Sequence, residues 1–355
     1  MVWNAQPVMK AIVYHSAGGP EVLHLVERPV PEPGPGEVRV KIHVSGVNPT
    51  DWKRRAGALP PGITEQVPNQ DGAGVVDAVG PGVSESRLGQ RVWVWEAAWE
   101  RSNGTAQEYV VLPERQTVPL PDSASFELGA SLGIPAVTAH RTLTVAEGGP
   151  ERLAPGALSG RTVLVAGGAG AVGNAAIQLA RWAGARVITT VSGPAKAALA
   201  SAAGADHVVN YRTADAVEQV RGIAPDGVDL FVEVAPDANA GLHQALAAPS
   251  AVVAFYADDG AAEVRIPIRE AMTRNLRWQG VLVYTISERA KDNAIAGVRA
   301  AVEDGALQVG ESAGVPLHWF ALEDTAQAHA AVENGVVGKV LIDVALDSRQ
   351  GEYRT

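Results

Sequence analysis

Residues 162–173 read T-V-L-V-A-G-G-A-G-A-V-G, an apolar run that passes directly into a glycine-rich turn and then an alanine-rich stretch. Gly168, Gly170 and Gly173 give the spacing G-x-G-x-x-G. Between a strand and a helix, these three glycines serve a tight turn, a close backbone approach to a pyrophosphate, and close packing of helix on strand. Backbone N–H groups at Gly168, Ala169, Gly170, Ala171, Val172 and Gly173, with the positive end of the helix, then hold the phosphates. The element points to dinucleotide binding.

The rest of the chain supports a sheet built for that element. Strand patterns at 186–191, 208–210, 230–234 and 252–256 alternate with helical spacing at 171–183, 195–203, 214–221 and 240–247. Repeated units of this size predict a doubly wound parallel sheet. The first third differs: short β patterns at 10–15, 38–44, 74–80, 91–95 and 105–112 are broken by Gly and Pro, which suggests a barrel-like β domain. Helical spacing follows at 126–132 and 136–143, with Pro135 as a break or first-turn residue. Helices at 292–304 and 322–334 and a strand at 339–344 close the chain. A length of 355 residues fits two domains.

Which dinucleotide binds is read from the second strand of the parallel sheet. An NAD site usually offers an acid there for the ribose hydroxyls, but residues 186–192 read R-V-I-T-T-V-S. Without that acid a 2′-phosphate is not repelled, and Ser192, Lys196 and Tyr211 are available to receive it. The alternative reading makes Lys196 a solvated helix residue and Tyr211 a loop aromatic. NADPH is therefore favoured over NADH. A net charge of −10 argues against nucleic acid as a main partner. The absence of cysteine excludes disulfides, thiolate metal sites and cysteine nucleophiles. No apolar run reaches the roughly 20 residues that span a bilayer, and a cytoplasmic protein without membrane partners is expected.

The stretch G-V-N-P-T-D-W-K-R-R-A-G at 46–57 resembles the medium-chain dehydrogenase/reductase superfamily, within it the quinone oxidoreductase (ζ-crystallin-like) branch. D-G-A-G-V-V-D-A-V-G at 71–80, G-T-A-Q-E-Y at 104–109, L-P-D-S at 120–123, G-I-P-A-V-T-A at 133–139 and G-K-V-L at 338–341 carry the same resemblance in order. It implies an α/β chain with a GroES-like β-rich catalytic domain at 1–134 and 288–355, and a Rossmann domain at 135–287. Zinc alcohol dehydrogenases of the superfamily carry Cys, His and Cys where this chain has Asn48, Gln70 and Ile134, and these replacements form no plausible zinc set.

The resemblance further implies a zinc-independent reductase of quinones or of activated C=C bonds in α,β-unsaturated carbonyls, with NADPH as hydride donor. It places Asn48 and Lys53 toward the nicotinamide end; Lys53 stands where the branch usually has Tyr. Thr138 and Val172 then approach the cofactor backbone. Ser192, Lys196 and Tyr211 fall on the 2′-phosphate positions. Phe255, Tyr256, Val283 and Tyr284 fall on later strands that line the nicotinamide pocket. A homodimer is implied, joined through sheet edges around 252–256 and 281–284. Two other readings stand beside it: a cofactor-binding structural or regulatory protein without significant turnover, and an NAD-dependent alcohol dehydrogenase.

Other residues admit plain explanations. Asp51 reads as a helix cap or a proton relay. Arg54 and Arg55 read as anion attractors or a surface basic pair. Trp52, Trp93, Trp95 and Trp99 read as a pocket for a flat substrate or as β-domain core. His140, in an apolar helix, reads as structural.

Overall fold

Val38, Val40, Ile42 and Val44 alternate along one strand, and all four side chains are buried, as a half-exposed strand requires. In the computed structural model, which describes residues 6–258, 260 and 263–345, this alternation belongs to the longest strand of the first of two units. That unit comprises residues 1–134 and 317–355, and the second comprises 135–316.

The first unit opens with β1 (Val8–Val13) and β2 (His24–Pro29), an antiparallel pair. β3 (Glu37–Val47) leads into helix α1 (Pro49–Ala56). β4 (Asp71–Val79), β5 (Arg91–Val94), β6 (Tyr109–Pro113) and β7 (Thr117–Pro119) follow, then α2 (Phe126–Gly129). Helix α3 (Gly133–Leu143) begins at the division between the units.

The second unit alternates strands and helices. They run β8 (Thr162–Ala166), α4 (Ala171–Trp182), β9 (Arg186–Val191), α5 (Pro194–Ala202), β10 (His207–Asn210), α6 (Ala216–Ile223) and β11 (Val228–Glu233). Then come α7 (Ala240–Leu246), β12 (Ala247–Phe255), α8 (Ile268–Arg274), β13 (Arg277–Gly280) and α9 (Glu288–Glu303). The parallel sheet has the order β10-β9-β8-β11-β12-β13. Chain order reverses direction between β8 and β11, which makes their carboxyl ends the switch point where such sheets bind ligands. β8 is buried throughout, and after Thr162 its side chains are apolar on both faces.

The chain then returns to the first unit with β14 (Leu317–Ala321), α10 (Thr325–Glu333) and β15 (Lys339–Asp343). These complete a sheet of order β14-β15-β3-β4-β5-β7, with β6 also paired to β3. Its core joins Ile12, Tyr14, Val40, Ile42, Val94, Leu112, Val340 and Ile342.

The division therefore falls at Leu317 rather than at residue 288. Residues 288–316 are held by the second unit: the Asn174 amide donates to Ala313 O at 2.8 Å, and Gln178 exchanges two hydrogen bonds with the Gln308 backbone. Gly297 of α9 also lies against the His140 ring, where a Cβ would come within 2.5 Å of Nε2. Two further expectations change. β12 is interior, and among the described residues the edge on that side of the sheet is β13. Val283 and Tyr284 lie in a short 3-10 turn after β13, not on a strand.

Candidate functional site

The carboxyl edge of the parallel sheet collects almost every residue expected to meet the cofactor. Gly167 turns the chain out of β8 with φ +69°, a left-handed conformation that suits glycine. The tight turn thus belongs to Gly167, while Gly168 is required for a different reason: a Cβ there would stand 2.2 Å from Thr189 Oγ1 on β9. A Cβ on Gly173 would stand 2.4 Å from Gly167 O, so α4 starts hard against the turn. Gly170, the N-cap of α4, is exposed and meets nothing closer than 3.4 Å. The spacing thus packs two of its glycines inward and leaves the middle one open. Ala171 and Val172 begin the helix half-buried and Ala169 is buried. The residues fit a dinucleotide pyrophosphate, which the orphan N–H groups of the first turn would receive.

Neighbouring strands supply the next residues. Val191 and Asn210 are register partners at the ends of β9 and β10, so Ser192 and Tyr211 leave the sheet side by side. Tyr211 is exposed, Ser192 and Lys196 are half-buried, and no acid ends β9. Arg212, exposed beside Tyr211, is a further cation on this edge which strand patterning did not single out. Phe255 ends β12, and the Tyr256 N–H donates to Glu233 O at the end of β11. Val283 and Tyr284 follow β13, buried, and Lys291 Nζ donates to Tyr284 O at 3.0 Å. Thr138 is buried in α3, away from this row of strand ends in sequence.

In the first unit, Asn48 and Ile134 converge on the carboxylate of Asp71, the residue after Gln70. Asp71 accepts from Asn48 Nδ2 at 2.7 Å and from the Ile134 N–H at 2.9 and 3.0 Å. Lys339 Nζ donates to Asn48 Oδ1 at 2.6 Å and stands 3.7 Å from Asp71. Asp51, in the first turn of α1, accepts the Asn48 N–H at 2.7 Å, which is the capping reading of that acid. The Gln70 side-chain oxygen accepts the Ala98 N–H. Both ends of the Asn48 amide are thus engaged, and a single amide hydrogen is left for any other partner.

Asp51, Asp71 and Lys339 are all buried. Burial raises both carboxyl groups, with Asp71 adding to the rise at Asp51, and burial lowers Lys339 while the acids oppose that shift. Glycines make room for the cluster. A Cβ on Gly133 would strike Asp71 Oδ1 at 2.2 Å, and one on Gly46 would lie 2.1 Å from Ala130 O and 3.1 Å from Lys339 Nζ.

Lys53 is on the exposed side of α1, its ammonium 6.0 Å from the Trp52 ring centroid. Asn48 and Lys53 therefore have different environments, one inside the ionic cluster and one at the surface. Arg55 is not a surface cation: it is fully buried, bonded to Glu333 and Gly18 O. Arg54 lies over Trp99 at 5.3 Å. Trp93 and Trp95 are core, whereas Trp52 and Trp99 are half-buried. His140 is buried and accepts the Leu153 N–H at 3.0 Å, a structural role.

Residues 34–122 match the family model of the alcohol dehydrogenase GroES-like domain, and residues 171–298 match that of the zinc-binding dehydrogenases. A quinone oxidoreductase of Rattus norvegicus is 31% identical over 96% of this chain and 99% of its own. A solved NAD-dependent alcohol dehydrogenase is 32% identical, with a TM-score of 0.81 over 95% of this chain and 100% of that one. The mycobacterial protein Rv1454c, solved with NADPH, is 29% identical, with a TM-score of 0.76 over 94% and 99%. A GroES-like unit, a Rossmann unit and near full-length similarity to a quinone oxidoreductase lead to one conclusion: this chain is an oxidoreductase of the medium-chain dehydrogenase/reductase superfamily, in its quinone oxidoreductase branch.

Proposed function

We propose that the chain uses NADPH to reduce quinones or the activated C=C bonds of α,β-unsaturated carbonyls, without a metal, as a cytoplasmic homodimer. The observation that carries the reading is the carboxyl edge of the parallel sheet. A phosphate loop at the switch point is followed on β9 and β10 by Ser192 and Tyr211 in register, with Lys196 and Arg212 as cations and no acid ending β9. A 2′-phosphate would be met there by hydroxyls and positive charge.

NADPH, when bound, supplies the hydride. The remaining work belongs to the chain. Gly168–Gly173 would hold the pyrophosphate, and Ser192, Lys196, Tyr211 and Arg212 the 2′-phosphate. Phe255, Tyr256, Val283 and Tyr284 would border the nicotinamide, with Thr138 and Val172 on the cofactor backbone. Reduction of an enone or quinone builds negative charge on oxygen, and the Lys53 ammonium is the donor we assign to it. Asn48, held by Asp71 and Lys339, offers its remaining amide hydrogen. The donor set supports metal-free chemistry: the Asn48 and Gln70 oxygens already accept hydrogen bonds, the Ile134 side chain offers no metal ligand, and an ammonium stands beside Asp71.

Steady-state kinetics with NADPH and NADH against a quinone and an enone test the proposal. Lys196→Ala and Tyr211→Phe should weaken NADPH by about tenfold and leave NADH nearly unchanged. Equal effects on both cofactors would remove the 2′-phosphate assignment. NADPH binding without turnover on either acceptor would favour the structural or regulatory reading, and stoichiometric zinc with alcohol oxidation the dehydrogenase reading.

A further inference from the structure

Glu233, the last residue of β11, carries its carboxylate to the switch point with no exposure to solvent. Its partner is His243 of α7, also fully buried, with Nε2 2.6 Å from Oε2. The other oxygen accepts the Ala235 N–H at 2.5 Å and Asn239 Nδ2 at 2.9 Å. One carboxylate thus fastens both ends of the loop 234–239 and the helix after it. The His243 ring is seated between Phe231 of β11 and Trp278 of β13, at 4.9 and 5.3 Å. A buried carboxylate and imidazole are costly to place, and packing alone at this position asks for neither.

The loop they hold borders the phosphate turn. Gly167, whose left-handed conformation starts that turn, lies so close to Val234 that an added Cβ would be 3.1 Å from Val234 Cγ1. A displacement of Val234 is therefore passed to Gly167 and to the N–H groups that follow it.

We infer that Glu233, His243 and Asn239 form a positioning assembly for the nicotinamide dinucleotide, fixing loop 234–239 against the phosphate turn. Its role is to set cofactor affinity through Val234 and Gly167, while the hydride-transfer step and acceptor binding are left to other residues. The inference rests on the cofactor reading above.

The test is NADPH affinity, by fluorescence titration, together with kinetics and thermal melting of the full-length protein. Variants are Glu233→Gln, which keeps shape and replaces one carboxyl oxygen by an amide, and Asn239→Ala, which releases the loop without separating Glu233 from His243. Val220→Ala, a truncation in the core of the same unit, serves as a control for lost stability alone. Glu233→Gln should raise the Kd and KM for NADPH by about tenfold, and Asn239→Ala by about threefold. In both, kcat at saturating NADPH should stay within about twofold of wild type, as expected for lost binding alone. Val220→Ala should melt earlier with an unchanged Kd. Should Glu233→Gln fail to fold, Asn239→Ala decides. Wild-type affinity in Asn239→Ala, or in both variants, would overturn the inference and leave the cofactor reading standing. Failure of the wild-type protein to bind NADPH would overturn both.

Discussion

Lys339 carries an ammonium into a strand whose next three residues, Val340, Leu341 and Ile342, are fully buried. Its charge is tolerated because Asp71, Asp51 and the Asn48 amide surround it. Lys339→Met keeps the bulk of the side chain and leaves the two acids uncompensated, so it should destabilise the fold by about 3–5 kcal/mol near neutral pH. Urea unfolding checks this, and the loss should shrink below about pH 4, where the unfolded-state acids also hold protons. Equal stability of variant and wild type would show that the cluster is not ionised. His329 makes the opposite case. Its Nε2 lies 2.8 Å from Asn69 Oδ1, and burial, with Arg55 nearby, lowers its pKa to about 3. The unfolded chain takes up a proton at this residue near pH 6.5 and the native one does not, so stability falls as pH drops from about 6.5 toward 3. The slope from this one residue approaches about 1.4 kcal/mol per pH unit, the limit for one proton. His329→Gln should flatten the fall in urea midpoint between pH 7 and 5, and an unchanged slope would show that other groups cause it.

At the scale of elements, α4 shows how close approach outweighs propensity. Ala in place of Gly173 would favour an isolated helix by about 1 kcal/mol. Here the new Cβ would sit 2.4 Å from a backbone oxygen. Gly173→Ala should therefore lower the melting temperature and weaken NADPH binding more than about tenfold; a stabilised variant with normal affinity would refute the packing argument. β8 and β9 were legible to the residue because buried parallel strands are rich in apolar and β-branched residues, T-V-L-V-A and R-V-I-T-T-V here. β2 and β14 were not: both lack a clean two-residue alternation, and their residues are exposed or half-buried. The strand expected over 105–112 begins only at Tyr109, since Thr105 and Gln107 turn their side chains onto the Asp71 and Gly104 carbonyls. Periodicity showed α9 to be a helix but not which unit it joins, a choice made by contacts to His140 and Arg152. The phosphate loop is a local motif and could be read directly. The ionic cluster could not, because Lys339 and Asn48 are 291 positions apart; its only signal was a charged residue heading an apolar strand.

On the scale of the whole molecule, the exposed apolar surface of the second unit bears on assembly. Among the described residues β13 is bonded to β12 on one side and to no strand on the other, and an open edge invites a further strand. Ile268 and Met272, one turn apart on α8, are 75% and 69% exposed, and Leu282 after β13 is 54% exposed. A chain with net charge −10 resists nonspecific association, so contact through this face requires a partner that covers the apolar residues and satisfies the strand. In the homodimer we propose, a second copy related by a two-fold axis would do both, because the patch would then meet itself. If the proposed homodimer forms here, the double variant Ile268→Asp/Met272→Asp would place like charges on both sides of that contact and should make the protein monomeric in sedimentation analysis. NADPH affinity should persist, since the phosphate loop and the β9 and β10 ends are built within one chain. A variant that stays dimeric would move the interface to another surface. A wild-type protein that is monomeric at every concentration would leave the β13 edge without a role in assembly.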